Sequence, residues 1–137
     1  MAFGYAQRWR IEEFHRVWKS GACNVERTQL REVERIEVWA TILASVAMRI
    51  MRLSHLARHC PDVPAQMEFA PVEMMVLRAL NPKAPLSVTL QTAVTWLANL
   101  GGYTGKSSGG PPGPIVIGRG IEQLNAMVQV ATALAKM

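Results

Sequence analysis

A chain of 137 residues, half of them hydrophobic, is about one packed domain with ample material for a core. Fifteen Lys and Arg against ten Asp and Glu give +5 and a pI near 9.8, an excess concentrated between Arg8 and Arg58 that suits a polyanion such as nucleic acid, or an anionic membrane surface. Two scattered cysteines, Cys23 and Cys60, exclude a disulfide scaffold and suit a reducing cytoplasm. Arg8 and Arg10 interrupt the start too early for a secretory leader, and the most apolar run, Val38 to Met48, is broken by Arg49 and Arg52 well short of the roughly 20 residues that span a bilayer.

The first predicted helix carries Tyr5, Arg8, Glu12 and Lys19 at spacings of three, four and seven. At about 100° of rotation per residue these fall within roughly 60° of one another, and Arg16 joins them. One carboxylate is thereby ringed by cations and a phenol. Ile11, Phe14 and Trp18 cluster on the other side, and the helix is expected to pack through them. Gly21 stops it, and Cys23 to Arg27 reads as extended. A long helix follows from about Leu30 to His59, its apolar stripe running through Val33, Ile36, Trp39, Ala40, Leu43, Ala44, Ala47, Ile50 and Met51. This is the expected spine of the core.

Pro61 and Pro64 end the spine and open a loop. Pro71 then sits at the first position of a helix to Leu80, which Asn81-Pro82 closes. Ser87 is the expected cap of a further helix to Leu100, stopped by Gly101-Gly102. Residues 101–114, rich in Gly, Ser and Pro, read as a flexible loop. The last helix, about Ile115 to Lys136, aligns Ile117, Ile121, Leu124, Val128, Ala131 and Ala135, and Gly118 and Gly120 weaken its first turns. Ala126, Met127, Val130, Ala133 and Leu134 make its apolar surface wider than one core contact needs, which suggests a partner helix.

The stripe on the first helix has two readings. Arg8, Glu12 and Arg16 form i,i+4 ion pairs on a solvated face, each worth about 0.2–0.5 kcal/mol. A carboxylate with basic and phenolic neighbours is also what phosphoryl transfer on DNA requires, since the acid holds a divalent metal and the others take phosphate oxygens.

The segment from Tyr5 to Gly21, Y-A-Q-R-W-R-I-E-E-F-H-R-V-W-K-S-G, resembles the YREK signature of bacterial cut-and-paste DDE transposases of the insertion-sequence-four group, the Tn-five type. Trp96 to Tyr103 resembles a later family segment, and the last helix is similar to the family's C-terminal dimerisation helix. The resemblance implies that Glu12 is the third carboxylate of a DDE triad and a Mg²⁺ or Mn²⁺ ligand. It further implies that Tyr5, Arg8 and Lys19 hold DNA, with Trp9 and Arg16 at further DNA-contacting positions. The family's two aspartates belong on upstream strands of a ribonuclease-H-like sheet, and Asp62, the chain's only aspartate, comes after Glu12 instead.

The expected fold is therefore mainly α, a helical C-terminal portion with a dimerisation helix and without that catalytic sheet. Residues 1–28 would end the catalytic domain, and residues 29–137 would form the helical dimerisation domain. A metal is expected only in a complete transposase and none for the chain alone, which should not cut DNA. Expected partners are transposon-end DNA, a second copy through the C-terminal helix and intact transposase, with no membrane, in a nucleoid-associated cytoplasmic protein. The alternative is a stand-alone helical DNA-binding or dimerising module that inhibits intact transposase.

Three other patterns are weaker. Gly101 to Ser107 has three residues between its glycines where a phosphate-binding P-loop has four, and it comes after a helix rather than a strand. His55, His59 and Cys60 have metal-like spacing, which a basic helix end explains better. Glu12-x-x-His15 is half of a di-iron bundle motif, and the second copy is missing.

Overall fold

The computed structural model describes residues 2–20, 23–24, 31–106 and 110–137, with backbone alone for 2–6. Five α-helices are present among them: α1 (Ala2–Lys19), α2 (Val33–His59), α3 (Pro71–Leu80), α4 (Leu90–Leu100) and α5 (Pro114–Ala135), with a 3₁₀ turn at Ala65–Met67. The described residues form no strand, only an isolated antiparallel bridge between Pro64 and Thr89. The fold is mainly α, as the periodicity predicts. No described helix is long and apolar enough to cross a membrane.

The spine is α2, about 40 Å long at 1.5 Å per residue. Its stripe is buried from Leu43 onward, through Ala47, Ile50 and Leu53, and these side chains meet Leu77 of α3, Val94 and Leu97 of α4, and Ile117 and Leu124 of α5 in one cluster. Two members of the predicted stripe lie outside it, for Val33 is 69% and Trp39 40% exposed. This end of α2 is met by α1, whose Trp18 Nε1 donates to the Ala40 carbonyl at 3.2 Å. The expected start at Leu30, the stop at Gly21 and the extended segment beyond Asn24 lie outside the described residues.

The closest helix packing joins α4 to α5. A Cβ on Gly120 would stand 2.0 Å from the Leu97 carbonyl oxygen, and one on Gly101 would stand 1.9 Å from that of Val116. Both positions therefore require glycine for backbone approach rather than for flexibility. Gly120, which sequence propensity reads as a weak point of the helix, is the position that lets α5 lie against α4.

The cap of α4 is Thr89 rather than Ser87. The Thr89 hydroxyl accepts from the Thr92 N–H at 3.3 Å, while residues 81–88 stay irregular because Arg78 clamps them, donating to the carbonyls of Pro85 at 2.9 Å and Leu86 at 2.6 Å. Pro71 does open α3 and Asn81 does close it, its side-chain amide donating to the Leu77 carbonyl at 2.8 Å. After α4, Tyr103 Oη donates to the Gly110 carbonyl at 2.8 Å across residues 104–109.

Two ion pairs tie α2 to α3 and to the residues just before it. Arg49 Nη2 donates to both oxygens of Glu73 at 2.8 and 2.9 Å, and the Glu73 carboxylate also accepts from the Ala70 N–H at 2.9 Å. Ala70 offers no oxygen in return, so this is one half of a capping box, closed by an arginine from another helix. Arg52 makes a fork to Glu68, Nε to Oε2 at 2.9 Å and Nη2 to Oε1 at 2.8 Å.

Candidate nucleic-acid interface

α1 is seated on α2 by Val17, Phe14 and Trp18. Val17 is 3% exposed, whereas Ile11, expected to pack, is 58% exposed. Ile11 and Val17 differ by about 120° around the helix, so the contact face is rotated from the predicted one toward Val17. Phe14 and Trp18 stack with ring centroids 6.0 Å apart, which orients this face.

The predicted stripe points away from that contact. Arg8, Glu12, Arg16 and Lys19 are all exposed, as is Trp9 at 63%. Arg8 Nε donates to Glu12 Oε1 at 3.1 Å with both side chains in solvent, so the ion-pair reading is correct for this pair. The Tyr5 side chain lies outside the described residues. Glu12, Arg16, Trp9 and Arg10 also border a shallow groove of about 470 Å³ along α1.

Among the described residues, Glu12 has no second acid suited to a paired-metal site. Asp62 lies exposed in the turn beyond α2, and no group of three or more His, Cys, Asp or Glu able to hold a metal occurs among the described residues. These residues do not by themselves fit a paired-metal centre, which needs several carboxylates. His55, His59 and Cys60 likewise do not converge as a three-ligand group.

A second basic surface, not singled out by sequence reasoning, lies between α1 and α2. This cleft, about 770 Å³, is bordered by Arg10 and Glu13 of α1 and by Arg52, His55, Arg58 and His59 of α2. Its signal was present in the i,i+3 and i,i+4 run of Arg52, His55, Arg58 and His59, but only the packing of α1 brings Arg10 opposite it. The two imidazoles stack with centroids 4.2 Å apart, and the His59 ring Nδ1 is 2.9 Å from the His55 carbonyl, which accepts from it. Burial, then the neighbouring His59 and Arg10, push the His55 imidazole below its usual pKa. The hydrogen bonds of Arg52 hold the Glu68 carboxyl below the usual carboxylate range.

The geometry thus presents an exposed, mostly cationic row on α1 and a basic cleft on its flank. Residues 4–49, which run from α1 to just past the middle of α2, match the family described as Transposase DDE domain. The match covers about a third of the chain, and it includes the whole stripe from Tyr5 to Lys19 together with Arg10.

Proposed function

We propose that the chain is the helical C-terminal portion of a cut-and-paste DDE transposase of the insertion-sequence-four type and that α1 is its YREK helix. The observation that carries this reading is the exposed row of Arg8, Glu12, Arg16 and Lys19 on α1, inside the stretch that matches the transposase family. In this reading Glu12 supplies the third carboxylate of a metal site whose two aspartates come from a catalytic sheet, and Tyr5, Arg8, Trp9, Arg16 and Lys19 hold transposon-end DNA. Arg8 would exchange its exposed bond to Glu12 for a phosphate oxygen, releasing the carboxylate as it binds. Exposed ion pairs of this kind are worth about 0–1 kcal/mol, so the exchange is easy. Alone, with one carboxylate in place, the chain binds DNA and does not cut it.

The test is binding of the purified chain to the terminal repeats of the neighbouring insertion element and to scrambled DNA across a salt series. Preference for the repeats that Arg8→Ala or Lys19→Ala abolishes supports the reading. Equal and steeply salt-dependent binding to both leaves only a generic basic helical domain.

A second reading draws on α5. Its last turns expose Val130 at 60% and Leu134 at 63%, an apolar surface of the kind that joins copies. The chain would then pair with itself or with intact transposase and block it, and co-expression with an active transposase would lower transposition frequency.

A further inference from the structure

We infer that the cleft between α1 and α2 is a second oxyanion site, distinct from the exposed row on α1, which takes a backbone phosphate of a nucleic-acid strand and grips it more tightly as its paired histidines gain protons. Only the source of the phosphate rests on the transposase reading; the chemistry of the site does not.

The charge balance of the cleft argues for an anion. Of its arginines, Arg52 is neutralised by Glu68, and Arg49 at its edge is held by the buried Glu73. Arg10 and Arg58 form no hydrogen bond or ion pair with a described residue, and Glu13 is the one acid at the rim. Two uncommitted guanidiniums, one from each helix, therefore face two imidazoles. Guanidinium forks and imidazolium N–H groups match phosphate oxygens, and the volume of the cleft falls within the roughly 300–1,000 Å³ of ligand pockets. The same cations repel a metal ion from the histidine pair.

The histidines make the site dependent on pH. Their rings are stacked 4.2 Å apart beside Arg10, so charging both without a counterion sets like charges against one another. His59 donates a hydrogen bond from its Nδ1–H to the His55 carbonyl, which leaves Nε2 as the ring atom that can carry a second proton and donate. The charged and titratable groups that meet the pair are Arg10 and Glu13 from α1 and Arg52 and Arg58 from α2, with Glu68 and Glu73 beyond the arginines they bind. A bound oxyanion reverses the repulsion and favours the charged form of the His55 imidazole. Binding then takes up protons, and affinity rises as pH falls through the ordinary histidine range.

The experiment tracks the histidine ring resonances of the full chain by NMR during pH titrations, alone, with inorganic phosphate and with a short single-stranded oligonucleotide. Oligonucleotide affinity is measured in parallel. The expected result is an upward pKa shift of His55 with the oligonucleotide, and affinity about tenfold higher near pH 5.5 than near pH 7.5. His55→Gln with His59→Gln should flatten that dependence, and Arg10→Gln should weaken binding at both pH values. Arg8→Ala and Lys19→Ala, which test the transposase reading, should leave the pH dependence intact, so the two ideas fail separately. Unmoved histidine resonances, or equal affinity at both pH values, would overturn the site. Shifts with inorganic phosphate alone would overturn the strand as its occupant.

Discussion

Glu73 shows how a carboxylate can be buried in this fold. Its side chain is 10% exposed, and it is satisfied from two directions, by Arg49 and by the Ala70 N–H. Removing one partner of a buried pair leaves an uncompensated charge, at about 3–5 kcal/mol when burial is complete. Arg49 is itself a third exposed, so Arg49→Met should destabilise the chain by about 2–3 kcal/mol, read as a lowered midpoint in urea. Glu73→Gln should lose less, since a neutral amide can still accept from Ala70. The Arg52–Glu68 pair predicts acid behaviour instead. The folded pKa of Glu68 is depressed, so its stabilisation is present above the ordinary carboxylate range and is lost as pH falls through the folded value. Acid unfolding profiles below about pH 4.5 should be flatter in Glu68→Gln. The cysteines separate as sharply. Cys23 is buried, its Sγ donating to the Leu43 carbonyl at 3.5 Å, and burial, then Glu122, push its pKa up, whereas Cys60 is exposed. One thiol should react quickly with an alkylating reagent in the folded chain, and Cys60→Ser should abolish that fast phase.

Among the elements, the α4–α5 contact is the one most sensitive to a single atom. Alanine normally favours a helix over glycine by about 1 kcal/mol, yet Gly120→Ala places a methyl 2.0 Å from the Leu97 carbonyl oxygen. The helices must separate, and overpacking of this kind costs about 1–3 kcal/mol. Gly120→Ala should therefore lower stability in urea denaturation, whereas a change that stabilises the chain would show that the contact is looser than its geometry. Thr89→Ala should cost about 1 kcal/mol by leaving the first turn of α4 uncapped, and Ser87→Ala should be silent. That pair of variants tests the corrected cap directly.

At the scale of the whole molecule, two of the exposed apolar patches lie on single helices and are suited to meet a partner. α2 exposes Val38 at 61% and Ile42 at 53% next to Trp39, and α5 exposes Val130 and Leu134 in its last turns. Patches of this kind mark association surfaces or aggregation liabilities. The purified chain should be at least dimeric by light scattering, and Val130→Glu with Leu134→Glu should shift it to monomer with its helix content unchanged. A wild-type monomer would remove the dimer reading, and an oligomer that survives the double variant would move the interface to the α2 patch.

Local chemistry made much of this protein legible in its sequence. The 3.6-residue period of the apolar positions gave the five described helices, Pro71 and Asn81-Pro82 bounded α3, and the spacing of Arg8, Glu12, Arg16 and Lys19 placed them on one exposed face, because each of these depends only on residues within a turn or two. What depended on a distant partner was not legible. Whether Ile11 or Val17 faces α2 turns on where α1 docks, and the fate of Val33 and Trp39 turns on how much of α2 the other helices reach. Gly120 reads as a helix breaker until α4 lies against it. The cleft that joins Arg10 to Arg58, His55 and His59 exists only because two successive helices fold back to pack side by side, and the number of charges a surface gathers from separate elements is set by that packing.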